Sequence, residues 1–138
     1  PEVRRTLDAL RPAYRLAVVS DAQPCFAVPE MRAMGLAGYF QPIVISARYG
    51  YRKPDRRLFE KALAMMRLAP HEVLHVGNDM FRDIHGAQGL GIRSIFVESN
   101  QGASSHADTR PDRVAAGFGQ VLEAVASLAD ADSAPCRQ

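Results

Sequence analysis

Apolar positions along the chain change their period repeatedly, and each change marks an element. Val3, Leu7 and Leu10 recur at helical spacing, so residues 2–10 are expected to form a short helix that Arg11-Pro12 breaks. Leu16 to Val19 is a continuous apolar run ending at Ser20-Asp21, which reads as a buried strand. Val28, Met31 and Met34 make a helical stripe closed by Gly35, and Ile43 to Ile45 is a second short strand ending at Ser46. Beyond Gly50, Lys53-Pro54-Asp55 opens a helix running to about Leu68 through Leu58, Phe59, Ala62, Leu63 and Met66, with Pro54 suited to its first turn. Val73 to Val76 is a third strand, followed by a helix with Ile84, Ala87 and Leu90 on one stripe, then a strand from Ser94 to Val97. Asn100 to Pro111 is a polar loop. Phe118 to Leu128 is the last helix, with Val121, Leu122, Val125 and Leu128 toward the core, and 129–138 is expected to be a flexible tail.

Strands alternate with helices throughout, so the pattern predicts an α/β domain over 1–128 with a mostly parallel sheet and right-handed crossovers. The segment from Val73 to Gly91 then stands out. Its apolar strand stops at Gly77-Asn78-Asp79, and Asp83 follows before the helical stripe begins. Such a strand delivers carboxylates to the carboxyl edge of a sheet, where open α/β folds place ligands. Without a compensating fork of arginines on the turn, those acids suit a hard divalent cation such as Mg²⁺. A helix N-cap explains Asn78 or Asp79 singly but not the whole set.

Composition narrows the picture little. The 138 residues suffice for one core, and 47% hydrophobic with 23% charged residues is ordinary for a globular domain. A net charge of +2 does not argue for nucleic acid or a membrane surface, and no apolar run nears the ~20 residues of a spanning helix. Cys25 and Cys136 lie far apart without CxxC spacing, as expected of free thiols in a reducing cytoplasm, Cys25 buried and Cys136 on the tail. The basic residues are more telling: fifteen arginines and two lysines, Lys53 and Lys61. Arg48, Arg52, Arg56 and Arg57 surround Lys53, which suggests that a compact point charge is wanted there rather than a planar fork. The same four arginines read by default as a solvated basic loop. The four histidines make no metal set: His75 reads as a core histidine and His85 as a helix-surface residue. Tyr49 and Tyr51 flank the Lys53 loop in positions for packing or substrate contact, and Met65-Met66 reads as core filler.

Three strand or helix ends now carry polar groups: Ser20, Lys53, and Asn78 with Asp79 and Asp83. Parallel strands would gather them in one crevice, and a hydroxyl, a lysine and a carboxylate-bound metal can grip a phosphoryl group. The order of these motifs, VVSD, then KPD opening a helix, then GNDMFRDIHGA, resembles the haloacid dehalogenase-like hydrolase superfamily over roughly 1–97. The resemblance implies a Rossmann-like, three-layer α/β/α fold and a small phosphorylated metabolite as substrate. It implies that Ser20 binds a phosphoryl oxygen, with Asp21 beside it on the substrate side. Lys53 would steady nucleophile and phosphate, and Asp79 and Asp83 would hold Mg²⁺.

Two departures from the family's pattern change the expectation. The residue after the motif glycine is commonly aspartate but here is Asn78, so either Asp79 takes over as ligand or Asn78 coordinates through its neutral carbonyl. No apolar strand ends in Asp-x-Asp, the motif that supplies the family's nucleophile; Asp21 follows a strand, but Gln23 holds the second position. The chain opens at Pro1 and is expected to be the C-terminal part of a longer Mg²⁺-dependent phosphatase, incomplete and inactive alone. The missing strand would leave a gap that closes by rearrangement or by pairing of exposed strand edges between copies. A metal-independent 2-haloacid dehalogenase and a non-catalytic binding or assembly module are the rival expectations.

Overall fold

The computed structural model describes residues 1–133. Its five strands are β1 (Val18–Ser20), β2 (Ile43–Ile45), β3 (Leu74–Gly77), β4 (Arg93–Val97) and β5 (Arg113–Ala115). Every pairing is parallel: β1 lies beside β2 with Val19 opposite Val44, and β3-β4-β5 form a second sheet with Val76 opposite Ile95. The principal helices are α1 (Glu2–Leu10), α2 (Pro24–Ala33), α3 (Arg56–Met66), the short α4 (Gly86–Gln88) and α5 (Val121–Ser133). This is the expected Rossmann-like α/β arrangement, with the parallel sheet divided in two.

Period-2 alternation in β4 sorts its side chains between two layers. Ile95 and Val97 pack with Leu10, Val121, Val125 and Leu128 on the α1/α5 side. Phe96 packs with Met80 and Ile84 on the opposite side. Phe59 and Leu63 of α3 meet Ala87 and Ile92 there, while Leu58 and Ala62 cover Val44 of β2. Asp55 caps α3, its carboxylate accepting from the Arg57 amide at 3.0 Å and pairing with the Arg57 guanidinium at 2.6 Å. Hydrogen bonds from the Arg57 side chain and backbone lower the Asp55 carboxyl to about 2.

Several elements differ from expectation for identifiable reasons. β5 was not expected, because Arg113 and Val114 are exposed and Ala115 alone is buried, so no apolar run announces it. α2 begins at Pro24, four residues early, and buries none of its residues; a proline at the first helical position is a start signal that the apolar stripe does not carry. The helix after β3 opens as a π-helical turn, Met80–His85, before α4. α5 continues to Ser133, where a flexible tail from 129 was expected; Arg93 pairs with Asp132 at 2.8 Å. The rest of that expected tail, with Cys136, lies outside the described residues. Cys25 is exposed rather than buried, consistent with an α2 that has no core face. Met66 is core, but Met65 points outward at 50% exposure, one helical position off the stripe.

The α3–α4 contact has no spare room. A Cβ on Gly86 would lie 2.8 Å from Phe59 Cε2 and 3.1 Å from Pro54 Cα, and the second neighbour is backbone. Gly86→Ala is expected to cost about 1–3 kcal/mol through overpacking, read as a lowered urea midpoint with unchanged slope.

Candidate functional site

Four chain segments meet at the carboxyl ends of β1 and β3. Lys53, in the loop before α3, is held at both of its ends. Its backbone N–H donates to Asp21 Oδ1 at 3.0 Å, just past β1, and its Nζ reaches Asp83 Oδ1 at 2.5 Å, just past β3. Asp83 is 4% exposed and both of its oxygens are engaged. Oδ1 takes Lys53 Nζ and lies 3.3 Å from His75 Nε2, while Oδ2 accepts the backbone N–H groups of Asn78 and Asp79, each at 3.1 Å. Burial pushes the Asp83 carboxyl up, but the hydrogen bond with His75, the charges of Lys53 and His75, and the hydrogen bond from Lys53 together outweigh it. The carboxyl is held below its usual range.

Glycine makes this possible. A Cβ on Gly77 would fall 2.3 Å from Asp83 Cβ, so the carboxylate folds back into space that Gly77 vacates. The π-helical turn closes with the Ile84 N–H donating to Asp79 O at 3.2 Å, a wider ring than an α-turn.

Asp79 caps that turn. Its Oδ1 accepts from the N–H groups of Phe81 at 3.0 Å and Arg82 at 2.8 Å, while Oδ2 stays outside those bonds, 4.0 Å from Arg82 Nε. The N-cap role, set aside at first for the whole group, therefore does describe Asp79. The Asn78 amide donates through Nδ2 to Ser99 Oγ at 3.0 Å. Asp21, Lys53, Asn78, Asp79 and Asp83 line one polar pocket of about 190 Å³ together with Arg82, Gln101 and Gly102. Ser20 is not among the lining residues; its hydroxyl accepts the Ala22 N–H at 3.1 Å, as a turn at the end of β1. Asp21 Oδ2 is buried with no hydrogen-bond partner among the described residues.

Four participants were missed by sequence reasoning. His75 was taken for a core histidine, yet it is half-buried and contacts Asp83. Arg82 places one guanidinium on a turn that was read as lacking an arginine fork. Gln101 and Gly102 come from the polar loop after β4. Gly102 has φ +80°, and a Cβ there would lie 2.7 Å from Asn78 O, so the loop needs glycine to approach so closely. Met80 N–H donates to Ala103 O at 2.7 Å, and the His106 ring sits 4.7 Å from those of Phe81 and His85, fastening the loop over the turn. The signal that could have found this loop is topological: it follows the strand next to β3 and leaves from the same sheet edge. Tyr49 and Tyr51 pack on Val44 and Leu58, with Arg57 stacked 4.2 Å over Tyr51.

The donors suit a hard, oxygen-loving ion more than a soft one. Asp79 retains an oxygen outside its capping bonds, whereas Asp83 has none to spare. Among the described residues no group of three or more His, Cys, Asp and Glu side chains is assembled as a metal cage. Mg²⁺ commonly takes one or two carboxylates and keeps several waters, so this donor set is compatible with it.

The chain belongs to the haloacid dehalogenase-like hydrolase family, whose model matches residues 1–97. It is 34% identical over 99 residues to a phosphoserine phosphatase of Thermus thermophilus, an alignment covering 71% of this chain and 40% of that protein. Among solved structures, a phosphoglycolate phosphatase, so described on prediction, from Haemophilus somnus superposes with a TM-score of 0.81 at 25% identity, covering 91% of this chain and 56% of the other. A 2-haloacid dehalogenase from Pseudomonas syringae superposes with a TM-score of 0.77 at 32% identity, covering 93% and 53%. The chain spans about two fifths of the length of the curated relatives it matches.

Removing Asp83 strands a half-buried lysine and two backbone donors. Asp83→Ala is expected to cost about 3–5 kcal/mol in urea unfolding. The lowered carboxyl also fixes a pH dependence. Its stabilisation is fully present above the unfolded value of about 4 and is lost as pH falls below that toward the lower folded value. Asp83→Asn should therefore show a shallower acid loss of stability than the parent chain, measured by denaturation at stepped pH.

Proposed function

We propose that the chain is the phosphate-receiving part of a Mg²⁺-dependent phosphomonoester phosphatase acting on a small phosphorylated metabolite in the cytoplasm. The observation that carries this reading is Lys53, fixed between Asp21 and Asp83 at the junction of two parallel sheet edges. With its backbone N–H on Asp21 and its ammonium on Asp83 at the edge of the pocket, Lys53 is positioned to offset the charge of a transferring phosphoryl group. Asp79, with Asn78, would hold the Mg²⁺. When bound, the ion supplies a Lewis acid that offsets phosphoryl charge. Asp83 acts on the other residues: it aims Lys53 and shapes the Asn78–Asp79 backbone. Ser20 would turn its hydroxyl from the Ala22 amide to a phosphoryl oxygen, and Asp21 borders the substrate.

Covalent phosphoryl transfer also needs a nucleophile. The sequence contains one Asp-x-Asp, at Asp130 and Asp132, but it lies in the last turns of α5 and Asp132 pairs with Arg93. We therefore assign the attacking carboxylate to polypeptide outside these 138 residues, with the chain inactive alone. The similarity to phosphatases named for phosphoserine and phosphoglycolate supports the substrate class.

A dehalogenase reading draws on the 32% identical dehalogenase structure and on the saturation of Asp83, since that chemistry needs the lysine and no metal. A non-catalytic module draws on Asn78, whose amide is committed to Ser99. Phosphate release by the parent protein separates the three. It is expected to require Mg²⁺ and to fall about 10²–10³-fold in Lys53→Ala, with a comparable loss in Asp79→Ala. Halide release without metal would favour the dehalogenase, and neither product would favour the module.

A further inference from the structure

A serine hydroxyl has one proton to give and two lone pairs to receive, and Ser99 uses all three. Its Oγ donates to Gln101 O at 2.8 Å, accepts the Gln101 N–H at 3.2 Å and accepts Asn78 Nδ2 at 3.0 Å. With the proton committed to Gln101, Ser99 presents only a lone pair to Asn78. The Asn78 carboxamide therefore turns its NH₂ group toward Ser99 and its carbonyl oxygen away. That oxygen, Oδ1, enters none of the hydrogen bonds among the described residues, and Asn78 lines the polar pocket with Asp79.

Ser99 does not depend on Asn78 for its own place. Glu98 N–H donates to Ala115 O at 2.9 Å, which ties the chain before Ser99 to β5. Met80 N–H donates to Ala103 O at 2.7 Å, which ties the chain after it to the turn beyond β3. Gly102 packs on the Asn78 backbone carbonyl, where a Cβ would lie 2.7 Å from the oxygen. The lone pair that meets Asn78 is thus fixed by backbone contacts on both sides.

We propose that Ser99 is a positioning residue for a divalent cation: it fixes the Asn78 carboxamide so that Oδ1 serves as a neutral oxygen ligand beside Asp79. The inference rests on the Mg²⁺ reading above and adds to it the residue that sets the orientation of a ligand. An untied carboxamide offers a cation either its oxygen or its NH₂ group, and only the oxygen ligates a hard ion. Holding one orientation beforehand lowers the ordering cost of binding.

The pairing also accounts for asparagine at this position. An aspartate at 78 would set a carboxylate oxygen against the Ser99 lone pair. It would also add a fourth carboxylate to Asp21, Asp79 and Asp83, in a pocket whose cations are Lys53 and Arg82. The departure from the family's usual aspartate therefore has its partner 21 residues further on, in the loop after β4.

The test is Mg²⁺ binding to the isotope-labelled 138-residue chain, followed by nuclear magnetic resonance and read without turnover. Added MgCl₂ is expected to shift the Asn78 side-chain NH₂ signals saturably. Ser99→Ala should weaken Mg²⁺ binding about tenfold or more, the usual effect of removing a group that orients a metal ligand. Ser99→Thr keeps the hydroxyl and should restore the affinity. Asn78→Ala should also weaken binding, and adding Ser99→Ala to it should bring no further loss, because Ser99 acts through Asn78. Unchanged affinity in Ser99→Ala, or an equal further loss in the double variant, would overturn the proposal. Should Ser99→Ala unfold, the unaltered chain decides: Asn78 NH₂ signals that stay still while the Asp79 amide moves would also overturn it. Binding that is lost in Asp79→Ala but indifferent to Ser99→Ala sinks this inference alone, whereas no Mg²⁺ binding at all sinks the metal reading with it.

Discussion

One carboxylate holds the site together. Asp83 receives two backbone N–H groups, a lysine and a histidine within 3.3 Å, from β3, the turn after it and the loop before α3. A buried carboxylate without partners is costly, so the fold can place Asp83 there because these donors converge on it. The reverse also holds. Without the carboxylate, the Asn78 and Asp79 amides would lose a shared acceptor, and Lys53 would lose the group that draws it across from Asp21. Gly77 is the enabling residue, since any side chain there would occupy the space of Asp83. A sequence feature that first reads as a metal motif is thus, in the fold, primarily a clamp.

That distinction bears on charge. The pocket gathers three carboxylates, Asp21, Asp79 and Asp83, against Lys53 and Arg82. Asp83 is matched by Lys53, and Asp79 is partly offset by the start of the π-helical turn and by Arg82 at 4.0 Å. Asp21 is engaged through Oδ1, while Oδ2 is buried without a partner. The remaining capacity of the site therefore lies with Asp79, whose Oδ2 is outside the capping bonds. A ligand entering the pocket meets the Lys53 ammonium fixed on Asp83 and one carboxylate oxygen of Asp79 with room for a further donor.

The parallel α/β plan was legible in the sequence because strands such as Ile43–Ile45 are continuous apolar runs and helices such as α1 and α3 carry apolar stripes. The gathering of Lys53 with Asn78, Asp79 and Asp83 was legible for the same reason: strand ends in such folds share an edge. What stayed hidden depends on contacts between distant residues. β5 is defined by its pairing with β4, not by its own pattern, and Phe26 of α2 and Met34 at its C-cap are 64% and 62% exposed, so the apolar residues there misreport burial. The role of His75 required knowing that Asp83 folds back over Gly77. The turn of Ser20 toward Ala22 depends on a local N–H that competes with any ligand for the same hydroxyl.

The division of the sheet returns to the same contacts. β1 pairs with β2 and β3 with β4, and an open cleft lined by Leu10, Phe59, Leu63 and Val125 lies between the two sheets. Lys53 spans them at their carboxyl ends, its backbone N–H on Asp21 past β1 and its ammonium on Asp83 past β3. The residue that prepares the polar pocket thus also joins the two sheets, so a change at Asp83 acts on the site and on the packing of both sheets together.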